Sequence, residues 1–171
     1  MMLPQNIHIY YPCWKLNNIS DGYSLIIWAF DGIHQGHYTL WKQAYIHSEK
    51  IAVLTFDPSP KAYFQRRSVF QSFASKYHIF AKRCTSIIYL IHFDEYIAHL
   101  SAEEFVTLYL AHIPIQRIIV WQDFRFWYKQ QWDISTLQWH YPCEIVTWSG
   151  AKISSSDIHF HWSRLRPYLI T

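Results

Sequence analysis

Short apolar runs and amphipathic stretches alternate along this chain. Residues 24–30 (SLIIWAF) are apolar almost throughout and predict a buried strand; residues 38–48, mixed in polarity, predict a helix after a short loop. Residues 51–56 (IAVLTF) predict a second strand, ended by Pro58 and Pro60, which cannot continue a ladder. A helix over 73–83 and an apolar strand over 86–93 (SIIYLIHF) follow. Ser101-Ala102-Glu103-Glu104 has the spacing of a capping box and opens a helix running to about His112. Residues 115–120 and 143–148 predict two more strands, and three serines open a last helix over 154–166. Residues 122–140, mixed in polarity and rich in aromatics, read as a long loop or flap.

Fully apolar strands alternating with helices predict a mostly parallel sheet with helices on both faces, an α/β fold whose ligands bind at the carboxyl ends of the strands. At 171 residues the chain reads as one domain over 1–171, long enough for a core without staples. With 51% hydrophobic and 16% charged residues it is no disordered tail protein, and no apolar run has the length of a membrane span. No basic-then-apolar leader opens it, so the cytoplasm is the expected location. The net charge of +3 does not argue for nucleic acid. Cys13, Cys84 and Cys143 are odd in number and widely spaced, which fits neither a disulfide framework nor a zinc site, and no metal-ligating residues are assigned.

The chemistry concentrates where the first long strand ends, at Phe30-Asp31-Gly32-Ile33-His34-Gln35-Gly36-His37. Glycines there permit a tight turn and close backbone approach to a ligand. The following helix start offers unpaired N–H groups and a positive dipole end, an anion site. Imidazole donors beside it suit the charge that develops on a phosphorus under in-line attack. The plain alternative is that His34 and His37 are ordinary surface histidines among the 11 in the chain.

Residues 29–37, A-F-D-G-I-H-Q-G-H, resemble the signature G-x-F-D-G-x-H-x-G-H of the bacterial flavin adenine dinucleotide synthetases. The resemblance continues in order. Thr55-Phe56-Asp57-Pro58-Ser59-Pro60 is similar to T-F-[ED]-P-H-P. Phe93-Asp94-Glu95 followed by Leu100-Ser101-Ala102-Glu103-Glu104-Phe105 is similar to F-D-x-x-F-x-x-L-S-x-E-x-F. Residues 120–127 resemble V-G-x-D-F-x-F-G, and residues 153–159 resemble I-S-S-T-x-I-R.

The resemblance implies a Rossmann-like nucleotidyltransferase of the H-x-G-H superfamily. Such an enzyme moves AMP from ATP, carried with Mg²⁺, to the phosphate of FMN, giving FAD and pyrophosphate. It implies His34 and His37 as catalytic groups on the ATP phosphates, with Phe30, Asp31, Gly32 and Gly36 in the ATP-binding loop. Ser154, Ser155, Ser156 and His159 would receive the triphosphate at the last helix. Phe56 and Pro58 would form a flavin-side wall, and Asp123, Phe124 and Arg125 would line the nucleotide and flavin pocket. The family's C-terminal riboflavin kinase domain is absent here, so a separate kinase is the implied supplier of FMN. Two other readings stand beside this one: a related adenylyltransferase with another mononucleotide acceptor, and an impaired nucleotide- or flavin-binding relic.

The chain departs from the family pattern at Ala29 (asparagine in the family), Ser59 (histidine) and His159 (arginine). The last exchanges a permanently charged fork for a mostly neutral ring; Arg164 and Lys152 are the nearby cations. Trp28, Trp121, Trp127 and Trp132 all stand where the family shows glycine. The chain has 4 glycines, against roughly 12 from average usage, and 9 tryptophans. One account is a pocket closed by indoles. The other is a glycine-coding codon, UGA being the obvious candidate, read as tryptophan, and the matched deficit and excess favour it.

Overall fold

Three strands at the middle of the sheet, over residues 23–27, 51–57 and 87–92, form where the chain is a nearly continuous apolar run, because a strand covered by helices on both faces has no polar side to show. A computed structural model describes residues 4, 6–12, 22–48, 50–66, 68–69, 71–124 and 134–147. It contains strands β1 (Ile7–Tyr10), β2 (Tyr23–Ile27), β3 (Ile51–Asp57), β4 (Ile87–His92), β5 (Ile115–Trp121) and β6 (Cys143–Val146). Helices are α1 (Tyr38–His47), α2 (Pro60–Gln65), α3 (Phe73–Lys82), α4 (Glu95–His99), α5 (Ala102–Leu108) and α6 (Ile134–His140).

The sheet order is β1-β4-β3-β2-β5-β6. All neighbouring pairs are parallel except β1 with β4, where Ile7 faces Ile91 and Tyr10 faces Ile88. The α/β architecture with a mostly parallel sheet is therefore as expected. From β2 the chain winds outward through β3 and β4, then crosses to lay β5 on the other side of β2. This reversal makes the carboxyl ends of β2 and β5 a topological switch point, the place where such sheets hold ligands.

Two apolar layers flank the sheet. On one face Ile26, Val53, Ile88 and Ile119 pack against Leu40, Trp41 and Ala44 of α1 and Ile79 and Phe80 of α3. On the other, Leu25, Ile27, Leu54 and Ile118 pack against Ile97 of α4, Phe105 and Val106 of α5 and Leu137 of α6. The alternation of Leu25, Ile26 and Ile27 between these layers is the period-two geometry of a strand. Ser101 caps α5 through the full capping box with Glu104.

Several elements differ from the sequence reading. β1 is an additional strand, too short and too half-exposed to stand out. Pro60 does end β3, but it also starts α2, where its missing N–H costs nothing at the first helical position and Ser59 supplies the cap. α4 is a further short helix, capped by Asp94. The stretch 122–140 is not all loop, since its last seven residues, about two turns, are α6. β2 stops at Ile27 rather than Phe30, because Phe30 adopts a left-handed φ of 51° that no ladder accepts. The helix from Ser101 closes at Leu108, with a 3-10 turn over Leu110–His112 behind it. The helix expected over 154–166 lies outside the described residues, as does Cys13.

Candidate active site

The turn after β2 begins with a strained residue that its surroundings hold in place. Phe30, at φ 51°, is fully buried, and its ring lies 5.2 Å from Trp41, 5.1 Å from Phe80 and 5.5 Å from His37 between centroids. A left-handed phenylalanine persists only where packing over-determines it. Gly32 follows at φ 88°, a backbone conformation that asks for glycine. Ile33 then donates its N–H to Oε1 of Gln71 at 3.1 Å, which ties the turn to the segment before α3.

His34 and His37 are not surface histidines. They are 8% and 3% exposed, with ring centroids 4.0 Å apart. The turn between them binds both rings to the backbone. The N–H of His34 donates to Nδ1 of His37 at 3.2 Å, and the N–H of His37 donates to the carbonyl of His34 at 2.9 Å. The N–H of Gly36 donates to Nδ1 of His34 at 3.2 Å. A neutral imidazole that accepts at Nδ1 carries its hydrogen on Nε2, so both rings are set as Nε2–H donors. Burial holds the pKa of His37 well below the ordinary histidine value, and the neighbouring His34 adds to the effect. His37 is therefore a neutral donor at physiological pH.

Gly36 is required for space. A Cβ there would lie 2.8 Å from Cε1 and 2.9 Å from Nδ1 of His34. The spacing of the two histidines around one glycine thus follows from a backbone N–H reaching into the ring two residues earlier. α1 begins directly behind this turn, with His37 at its N-cap position and no side-chain cap, so its first N–H groups and dipole add to the same electropositive corner.

Asp31 is 5% exposed and accepts from Oγ of Ser59 at 3.0 Å. The same Oγ accepts from the N–H of Ala62 at 3.2 Å, so one hydroxyl joins the two motifs. Thr55, fully buried, donates to the carbonyl of Ala29 at 3.1 Å. Beyond β5, Phe124 is 3% exposed and its ring lies 6.5 Å from Trp28, whose indole is 6.3 Å from His37. The family's glycine position at the end of β2 thus carries an indole beside a candidate catalytic ring. Trp121, the second such position, is 8% exposed in the α1 and α3 layer.

The structure brings Phe30, Asp31, Gly32, His34, Gly36 and His37 together at the switch point, with Asp123 and Phe124 on the turn after β5. Two aromatic rings of these motifs turn inward. Phe56 is fully buried and packs edge-on to Phe93, at 6.0 Å, and against Phe105, at 6.4 Å, so its ring belongs to the core and not to a flavin-side wall. Pro58 beside it is half-buried and follows a cis peptide bond. Phe30 likewise turns its ring inward, where it supports His37. Arg125, Ser154, Ser155, Ser156 and His159 lie outside the described residues, as do Trp127, Trp132, Lys152 and Arg164. Among the described residues no cluster of three or more His, Cys, Asp or Glu side chains is placed to hold a metal ion, and Cys84 and Cys143 are free thiols.

Sequence reasoning missed Lys76. It is fully buried, and its Nζ donates to the carbonyls of Ala29, at 3.2 Å, and Phe56, at 3.5 Å. The signal was available: Lys76 interrupts the apolar stripe of α3 formed by Phe73, Tyr77 and Phe80.

A family model described as FAD synthetase matches residues 17–156. A Geobacillus thermodenitrificans protein, classed with the bifunctional riboflavin kinase/FMN adenylyltransferases, is 34% identical over 157 residues, covering 84% of this chain and 87% of its own. The bifunctional riboflavin kinase/FMN adenylyltransferase of Buchnera aphidicola subsp. Schizaphis graminum is 29% identical, covering 92% of this chain and 54% of its own. That of Listeria monocytogenes is 31% identical, covering 75% and 46%. The chain therefore spans about half the length of the latter two. A crystal structure of a Streptococcus pneumoniae protein, described as a macrolide-efflux protein, shares the fold with a TM-score of 0.71 and 25% identity, over 82% of this chain and 59% of that one. No helix among the described residues is long and apolar enough to cross a membrane. With an H-x-G-H turn at the switch point of a mostly parallel sheet and a family match over most of its length, this chain belongs to the FAD synthetase family.

Proposed function

We propose that this chain is an FMN adenylyltransferase: it transfers AMP from ATP to FMN, forming FAD and releasing pyrophosphate. A phosphate oxygen of FMN attacks the α-phosphorus of ATP, and the bond from that phosphorus to the bridging oxygen of the β-phosphate breaks. The attacking phosphate is ionised at pH 7, so no base is needed and the protein's work is orientation and charge neutralisation. The observation that carries the reading is the pair of backbone-to-Nδ1 hydrogen bonds, which set both buried imidazoles as Nε2–H donors. Donors fixed in advance cost no reorganisation when charge develops on the phosphoryl oxygens.

In this reading His34 and His37 hold the ATP phosphates together with the first turn of α1, and the turn of Gly32 and Gly36 carries the backbone past them. Ser154, Ser155, Ser156 and His159 complete the phosphate site, and Pro58, Asp123, Phe124 and Arg125 border the nucleotide and flavin. Mg²⁺ arrives with ATP, ligated by phosphate oxygens and water. FMN is the product of riboflavin kinase chemistry, whichever polypeptide carries it. The site takes small molecules, with no nucleic acid and no membrane as partner.

The test is to incubate the protein with ATP and Mg²⁺ and, separately, FMN, nicotinamide mononucleotide and phosphopantetheine, following pyrophosphate and product. FAD formation is the expected result. A different adenylylated product assigns another acceptor, and binding without turnover identifies a relic. The last outcome has a specific observation behind it, the Trp28 indole beside His37.

A further inference from the structure

We propose that Lys76 is a positioning residue of this site: its buried ammonium ties the carboxyl ends of β2 and β3 together and thereby sets the turn that carries His34 and His37. This inference rests on the adenylyltransferase reading. Lysine is almost never fully buried without partners, and a leucine or methionine on α3 would pack between Phe73, Ile79 and Phe80 without the desolvation cost of a charge. The charge is retained where it meets two segments of backbone.

Its contacts close a circuit. Nζ donates to the carbonyl of Ala29, which also accepts from Thr55 Oγ1, so both lone pairs of that oxygen are engaged immediately before the left-handed Phe30. The second contact, to the carbonyl of Phe56, stands at the matching point of β3, before Asp57, Pro58 and Ser59. Ser59 then reaches back to Asp31. Lys76, Ala29, Asp31, Ser59 and Phe56 therefore form a ring of polar links joining the Phe-Asp-Gly segment to the Thr-Phe-Asp-Pro-Ser-Pro segment. The carboxylates of Asp31 and Asp57 favour the charged ammonium, although burial outweighs them and lowers the pKa of Lys76 below the ordinary lysine value. Lys76 is fully buried and acts on substrate only through this turn.

The test is Lys76→Met, which keeps the apolar stem and removes the charge. Removing one charge from a buried cluster whose carboxylates, Asp31 and Asp57, favour it is destabilising. The variant is therefore expected to unfold at a lower urea midpoint than wild type. Its kcat for FAD formation is expected to fall about 10²-fold, the scale of a small misplacement of catalytic groups, with KM for ATP and FMN changed far less. Imidazole ¹⁵N signals of His34 and His37, read without substrate, should move together. A folded Lys76→Met with wild-type kcat and unmoved imidazole signals overturns the proposal. Should that variant fail to fold, Lys76→Gln decides. It stays polar but is too short to donate to both carbonyls, so wild-type kcat in it is equally fatal. If wild-type protein forms no FAD, the adenylyltransferase reading falls, and the imidazole signals alone then decide whether Lys76 positions the turn.

Discussion

The backbone N–H of Gly36 points into the ring of His34, 3.2 Å from Nδ1, and a single methyl group on Gly36 would come within 2.8 Å of the same ring. The contact that fixes the tautomer of His34 therefore depends on the absence of a side chain two residues away. Gly36→Ala is expected to displace the imidazole and lower kcat about 10²-fold. The loss of stability should be near 1 kcal/mol, the worth of one hydrogen bond. Steady-state pyrophosphate release and urea unfolding of the variant measure both, and an alanine variant with normal kcat would contradict the packing argument.

His34→Ala removes a donor from the developing charge and is expected to reduce kcat by about 10²–10³-fold. Because His34 is buried and holds the Gly36 N–H, the variant should also lose about 1 kcal/mol of stability. Unchanged FAD production would take His34 out of the mechanism.

His37 gives stability a pH dependence of definite sign. Its folded pKa lies well below 6.5 because burial disfavours the cation. The unfolded chain therefore takes up a proton at higher pH than the folded one. The stability tied to neutral His37 is fully present above about pH 7 and falls as pH drops below 6.5, by up to about 1.4 kcal/mol per pH unit, until the folded pKa is reached. Urea midpoints at pH 5, 6, 7 and 8 should fall more steeply toward acid for wild type than for His37→Gln. Parallel curves for the two proteins would refute the assignment.

Trp28 places an indole between His37 and Phe124, at the carboxyl end of the strand that carries the site. Trp28→Gly is expected to raise affinity for ATP and FMN by at least about tenfold, about 1.4 kcal/mol, as read by isothermal titration. Equal affinity would show that the indole leaves the substrates room. The gene offers a second check: UGG at positions 28, 121, 127 and 132 would end the account in which glycine codons are read as tryptophan.

The legible part of this molecule is the part governed by local pattern. β2, β3, β4 and the second half of β5 are apolar runs that suit a doubly covered sheet, Ser101 with Glu104 is a box readable by eye, and the paired histidines stand at a strand-to-helix junction. What pattern cannot say is which way a side chain turns once the strand has ended. Phe30 and Phe56 belong to motifs at the cleft, yet both rings go to the core, because a left-handed φ in one case and strand alternation in the other aim them there. Ser59 read as the loss of a family histidine; in three dimensions its hydroxyl caps α2 and holds Asp31. Lys76 was legible only in part: its place in the apolar stripe of α3 marks it as unusual, but only tertiary structure supplies the carbonyls that retain it.

The inward ring of Phe30 has a dynamic consequence. With Trp41 and Phe80 clasping it, the turn that carries His34 and His37 can swing away only by extracting an aromatic from beneath α1 and α3. Amide hydrogens at His34 and His37 should therefore exchange with solvent more slowly than those of exposed loops, which hydrogen exchange measures. The paired imidazoles therefore sit on a corner braced by the core beneath it.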